Sequence, residues 1–189
     1  MMRAIALLLL ALSSGLLQGC FPIVAVGAGA GAMMSQDRRN NDAFAADQRI
    51  ETGAAERIDK QIKKVMHVNV TSFNYVVLLS GEVLDEATKT EIGKIVSGIE
   101  KVRKVNNELA VSASSSLFSR SNDSLITSNV KLRFLKDKQF NAEHVKVVTE
   151  SGTVFLMGIV KRAEADAATE VARTTQGVRQ VIRMFEYLD

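Results

Sequence analysis

Val154-Phe155-Leu156-Met157-Gly158-Ile159-Val160 repeats Val77-Leu78-Leu79-Ser80-Gly81-Glu82-Val83 at a shift of 77 positions. At the same shift Val145-Lys146-Val147 matches Val68-Asn69-Val70, and His144 and His67 each precede the first valine. Val178-Arg179-Gln180-Val181 matches Val102-Arg103-Lys104-Val105 at a shift of 76, so one residue has been lost between the two matches. Self-similarity at a fixed period is the signature of a duplicated structural unit. Two copies of one small domain is the economical explanation.

Each copy is predicted to run helix, strand, strand, helix, strand. The first helix spans about 50–64, with Ile50, Ala54, Ile58 and Ile62 at i,i+4 spacing. Its counterpart spans about 123–136, with Ile126, Val130 and Phe134. Strands with period-2 alternation follow. Glu150-Ser151-Gly152 is a hairpin signal, whereas Phe73-Asn74-Tyr75 lacks the glycine, so Asn74 takes the turn conformation there. The second helices are expected over about 85–99 and 162–175. Asp85 is the cap of the first of these, Ile92, Ile95, Val96 and Ile99 form its inner face, and Ala167, Ala168, Val171 and Ala172 form the inner face of the other. Third strands close the copies at about 104–111 and 180–188. The fold class is α+β: two tandem αββαβ units, each a three-stranded sheet with two helices on one face. A unit of this size has a small core, and docking of the two would stabilise both.

Outward from the repeats, the N-terminus carries a different signal. Arg3 precedes the apolar run Ala4–Leu12, which breaks at Ser13-Ser14-Gly15 and ends Leu17-Gln18-Gly19-Cys20. A short basic region, a short apolar region and a small-residue cut site describe a secretory signal. A bilayer span needs roughly 20 apolar residues, more than this run has. Leu-Gln-Gly-Cys resembles the bacterial lipobox, which implies lipidation of Cys20 and cleavage before it. Cys20 is the single cysteine of the chain, so lipidation also accounts for an odd thiol in an exported protein. Phe21, where an aspartate would favour retention at the inner membrane, points to the outer membrane. Residues 20–48 read as a flexible tether, Gly/Ala-rich at first and polar from 37. The first domain is expected at 49–111, a Ser-rich linker at 112–121 and the second domain at 122–189. Leu117 and Phe118 interrupt that linker and are expected to plug into a domain face.

Without Arg3 the chain has 23 basic and 21 acidic residues, a near balance that does not fit a nucleic-acid binder. With no Trp and only Pro22, it is neither a Pro-rich stalk nor an aromatic-rich binding surface.

The repeated residues resemble the BON domain, whose signature is Val-x-Val, then Val-x-Leu-x-Gly-x-Val, a helix, and Gly-Val-x-x-Val. The second copy fits throughout: Val145-x-Val147, Val154-x-Leu156-x-Gly158-x-Val160 and Gly177-Val178-Arg179-Gln180-Val181. The first copy departs at Lys101, which stands where Gly177 stands, and at the hairpin glycine. A lipobox, a tether and two such copies look like the dual-BON outer-membrane lipoproteins. That resemblance implies a lipid-anchored protein facing the periplasm. It also implies binding to anionic phospholipid (phosphatidylglycerol, cardiolipin) through the first helix of the second copy, enrichment at the division site, and support of outer-membrane integrity. An interaction module docking on outer-membrane assembly machinery is the alternative reading.

Projection of residues 123–136 at 100° per residue puts Ile126, Val130 and Phe134 within about 80° of one another, as a core stripe. Leu125, Leu132 and Leu135 fall on roughly the opposite side, flanked by Lys131, Arg133 and Lys136, with Lys138 just beyond. An apolar face rimmed by cations suits an interfacial helix. The expected lipid-facing set is Leu125, Ser128, Asn129, Lys131, Leu132, Arg133, Leu135 and Lys136. In the family relative a tryptophan stands at the place of Leu125, and leucine lacks its amphipathic ring. No nucleophile elbow, phosphate loop or dinucleotide fingerprint is present, so no enzyme and no cofactor is expected. His67 and His144 have no Cys or carboxylate at the spacing of a tetrahedral metal set, and no metal is expected.

Overall fold

The computed structural model describes residues 37–63 and 66–189; the leader, Cys20 and the Gly/Ala-rich stretch lie outside the described residues. The first repeat comprises α1 (Asn41–Gln61), β1 (His67–Phe73), β2 (Val76–Val83), α2 (Glu86–Ser97), β3 (Lys104–Asn107) and the short β4 (Ala110–Val111). The second comprises α3 (Leu117–Phe134), β5 (Val145–Glu150), β6 (Thr153–Val160), α4 (Arg162–Arg173) and β7 (Gln180–Tyr187), with a 3-10 turn at Ala142–His144. In each sheet the hairpin's second strand is central, antiparallel to the first strand and parallel to the last. The helix between the parallel strands is the crossover that such a connection requires.

Local chemistry explains most boundaries. The Asp85 side chain accepts from the Thr88 amide at 2.7 Å, capping α2 as expected. At α4 the Glu164 carboxylate accepts from the Lys161 amide at 2.8 Å. Two first helices begin earlier than expected. Residues 37–48, read as tether, include the first two turns of α1. Asn40 accepts from the Ala43 amide at 2.7 Å, Ala43 and Ala46 are buried, and the Arg39 guanidinium lies 4.2 Å from the centroid of the Phe73 ring. Half of the expected linker is likewise helix. Ser116 caps α3, and Leu117 and Phe118 form its first turn, exposed instead of plugged into a domain face. Serine composition suggests a linker, but a serine at the cap position starts a helix.

The two helix-covered cores solve the same packing problem with opposite residue sizes. In the first, Ala54 and Ile58 of α1 face Ile92 and Val96 of α2. In the second, the corresponding places hold Val130 and Phe134 of α3 against Ala168 and Ala172 of α4. Bulk moves from the second helix to the first, a complementary exchange of the kind close-packed interiors demand. Phe140 completes the second core, edge-on to Phe134 with ring centroids 4.9 Å apart.

Both hairpins turn on two residues with positive φ: Asn74 (+49°) and Tyr75 (+67°), Ser151 (+49°) and Gly152 (+74°). Only the second has a glycine. A buried aspartate underlies each turn. Asp47 of α1 accepts from the amides of Asn74 (2.7 Å) and Tyr75 (2.8 Å), and Asp123 of α3 accepts from those of Ser151 and Gly152 (both 2.8 Å). Lys101, at the position of Gly177, also has positive φ, +71° against +89°. A left-handed non-glycine residue costs about 1–2 kcal/mol, and glycine's extra unfolded-state freedom returns part of that. Lys101→Gly is therefore expected to stabilise the chain by about 0.5–1 kcal/mol, read as a shift of the urea midpoint without a change of slope.

The face of each sheet away from its helices is covered by the other sheet. Phe73 and Leu78 pack there against Phe155 and Met157, ringed by Val148, Ile159, Ile182 and Met184. The central strands are consequently buried on both faces. Polar ties frame this contact: Lys146 to Glu51 at 3.0 Å, Asn74 to Glu186 at 3.0 Å, and Arg38 to Glu164 through two bonds of 2.6 and 2.9 Å. The Arg38 guanidinium holds the Glu164 carboxyl at about 2.

Candidate functional site

α3 lies over its sheet on Ile126, Val130 and Phe134, with Asp123 beneath the hairpin turn. Its opposite side is bare. Leu125, Leu132 and Leu135 are 64%, 56% and 70% exposed. Lys131, Lys136, Ser128 and Asn129 are exposed around them. The structure therefore brings seven of the eight expected residues to one outward surface.

Arg133 is the exception and corrects the expected cation rim. Its guanidinium donates to the Val171 carbonyl at 2.9 Å, to Thr175 Oγ1 at 2.7 Å and to Thr174 Oγ1 at 2.9 Å. A cation at the C-terminal end of α4 also meets the negative end of the helix dipole. Arg133 thus ties α3 to α4, and its charge is spent inside the domain.

The apolar surface is longer than expected. Leu117 and Phe118 are 80% and 84% exposed. Phe118, Leu125 and Leu132 stand seven residues apart, a spacing that drifts only about 20° per step on a helix, so the three form one stripe roughly 21 Å long. The heptad spacing was the signal in the sequence that could have revealed Phe118; its serine-rich surroundings hid it. Phe118 also puts an aromatic ring on this surface.

The electrostatics of α3 differ from those of α1. Within Leu117–Phe134 the one acidic residue is Asp123, buried and held by backbone amides. α1 mixes Asp42, Glu51, Glu56 and Asp59 with Arg49, Arg57 and Lys60. An outer face of apolar and neutral residues, with lysines toward one end and no carboxylate, can meet an anionic surface without repulsion. Among the described residues, no helix is long and apolar enough to cross a membrane.

The BON domain model matches residues 46–113 and 122–189. Among characterised proteins, the chain is 37% identical to outer membrane lipoprotein DolP of Haemophilus influenzae, over 92% of this chain and 91% of that protein. It is 34% identical to a 21 kDa hemolysin of Actinobacillus pleuropneumoniae, over 80% of this chain and 79% of that one. It is 33% identical to osmotically-inducible protein Y of Escherichia coli, over 67% and 65%.

Proposed function

The chain belongs to the BON-domain family, with two copies of the domain on one polypeptide, and we propose that, as an outer-membrane lipoprotein facing the periplasm, it lays α3 of its second domain on anionic phospholipid. Cys20 carries the lipid anchor in this reading. Support of outer-membrane integrity, with enrichment at the division site, is the role that lipid recognition would serve.

One observation carries the reading: a bare apolar stripe on α3 with lysines beside it and no exposed carboxylate within the helix. Full burial of a leucine or phenylalanine is worth about 1.5–3 kcal/mol, and each lysine near an anionic surface about 1 kcal/mol. Partial insertion of the stripe with Lys131 and Lys136 gives reversible binding. The anchor raises the local concentration of the membrane to the millimolar range or above, so weak binding suffices. With Arg133 engaged by α4, the apolar contribution outweighs the charge contribution.

Co-sedimentation of residues 37–189 with vesicles tests this. Binding is expected to vesicles containing phosphatidylglycerol or cardiolipin and to fall at least about tenfold in Leu125→Glu combined with Leu132→Glu. Absence of binding, or binding that the double variant retains, would overturn it. Capture of an outer-membrane assembly protein by a variant that no longer sediments would favour the docking-module alternative.

A further inference from the structure

His67, Glu82 and Glu150 meet where the two sheets face each other. His67 opens β1 and is paired in register with Glu82 of β2, so both side chains leave the same face of the first sheet. Glu150 closes β5 and comes from the second domain. His67 Nδ1 lies 3.2 Å from Glu82 Oε2 and 3.9 Å from Glu150 Oε1. One donor atom from each of the three falls within 4.8 Å of the other two.

The duplication shows how unusual this corner is. Glu82 corresponds to Ile159, Ser80 to Met157, and Glu150 to Phe73. At the opposite repeat positions the contact between sheets is apolar, and here it holds two buried carboxylates. Among the described residues, neither carboxylate has a lysine or arginine ion-pair partner. Arg120, which lines the adjoining cavity, spends its guanidinium on Ser114 and Ser115.

The surroundings are built to orient donors. Asn69 Nδ2 donates to Glu150 Oε2 at 3.1 Å and stands 3.3 Å from His67 Nε2. Ser80 Oγ donates to the same Glu150 oxygen at 3.2 Å, and the Ser115 amide and hydroxyl donate to Glu82 at 3.3 and 3.1 Å. Such outer partners fix the direction of ligating carboxylates and imidazoles. An open cavity of about 450 Å³ reaches His67 and Glu150 and gives an entry path and room for a water as fourth ligand.

We propose that His67, Glu82 and Glu150 bind one divalent transition-metal cation of the zinc class, and so clamp the two BON domains together. Zinc bonds of about 2.0–2.2 Å put tetrahedral donors about 3.3–3.6 Å apart, so side-chain shifts of about an ångström close the set. An imidazole with two carboxylates suits Zn²⁺, whereas Mg²⁺ and Ca²⁺ favour oxygen-only sets. Because the ligands come from both domains, the ion binds the docked arrangement and stabilises it by mass action.

The test uses the full mature chain in detergent micelles. Calorimetric titration is expected to give one Zn²⁺ per chain with a Kd of about 1 µM or tighter. Thermal unfolding followed by circular dichroism, since the chain has no Trp, is expected to move up by about 5–10 °C at a hundredfold excess over Kd. Mg²⁺ should give no shift. X-ray absorption should report one imidazole, oxygen donors and no sulfur. His67→Gln and Glu150→Gln should each weaken binding at least about 100-fold with unchanged circular dichroism, and His144→Gln should leave it intact. Absence of stoichiometric binding, or binding that both variants keep, would overturn the proposal. If the variants do not fold, a wild-type spectrum with sulfur or two imidazoles would overturn it equally.

Discussion

Gly81→Ala is expected to lower stability by about 3–5 kcal/mol, the sum of a backbone strain and a steric conflict at one atom. Gly81 has φ +113°, a conformation that L side chains rarely adopt. A Cβ there would stand 2.1 Å from the His67 carbonyl oxygen and 2.9 Å from its carbon, both backbone atoms of β1. Neither relief is cheap: moving β1 breaks its register with β2, and turning Gly81 breaks the strand. Gly158 repeats the close approach, with a Cβ position 2.4 Å from the His144 oxygen. The glycine of the Val-x-Leu-x-Gly-x-Val signature is thus the place where the hairpin strands come too close for a side chain. Gly53→Ala is the control. A Cβ at Gly53 meets nothing within 4 Å, and its helical position favours alanine by about 0.5–1 kcal/mol. Urea unfolding should separate the two variants in opposite directions from the wild type.

Asp47→Ala is expected to cost about 4–5 kcal/mol, and Asp123→Ala about 3 kcal/mol. Asp47 is 1% exposed and accepts from the Asn74 and Tyr75 amides, from the Ser72 hydroxyl at 2.6 Å and from Arg39 at 2.9 Å. Hydrogen bonds to a charged acceptor are worth roughly 1.5–3 kcal/mol each, and their loss leaves buried donors without partners. Asp123 serves two amides in a turn that already has Gly152 to take the left-handed conformation. Asp47 serves a turn made of Asn74 and Tyr75, where tyrosine pays steric strain that the carboxylate must offset. The difference between the two variants, measured by chemical unfolding, is the more discriminating observation. Equal costs would mean that the missing glycine does not matter.

Gly81 is marked along the chain by the repeated signature, but the importance of Asp47 is invisible there. Nothing near Asp47 in sequence marks it as a turn holder; the donors of the turn that it holds lie 25 to 28 positions away. The same holds for Arg133. A helix projection placed it correctly beside the exposed leucines, but its contacts are with α4, 38 to 42 positions on. The early start of α1 is hidden in the sequence for a related reason. Its first turns are polar at the surface, and one feature that fastens them, Arg39 on the Phe73 ring, is long-range.

The sequence by itself determined the duplication, the order of elements, the helix-facing half of each core and the outward leucines of α3. These follow from periodicity: 3.6 for helices, 2 for strands and 77 for the repeat. Periodicity is a local property that survives without knowledge of contacts. Only the tertiary structure decided what covers the second face of each sheet, since alternation makes Leu78 and Phe155 point away from their own helices but does not say toward what. It alone brought Glu150 of one domain to His67 and Glu82 of the other, and left Phe118 bare. Contacts between distant segments depend on how two finished surfaces fit, and no spacing along the chain encodes that fit.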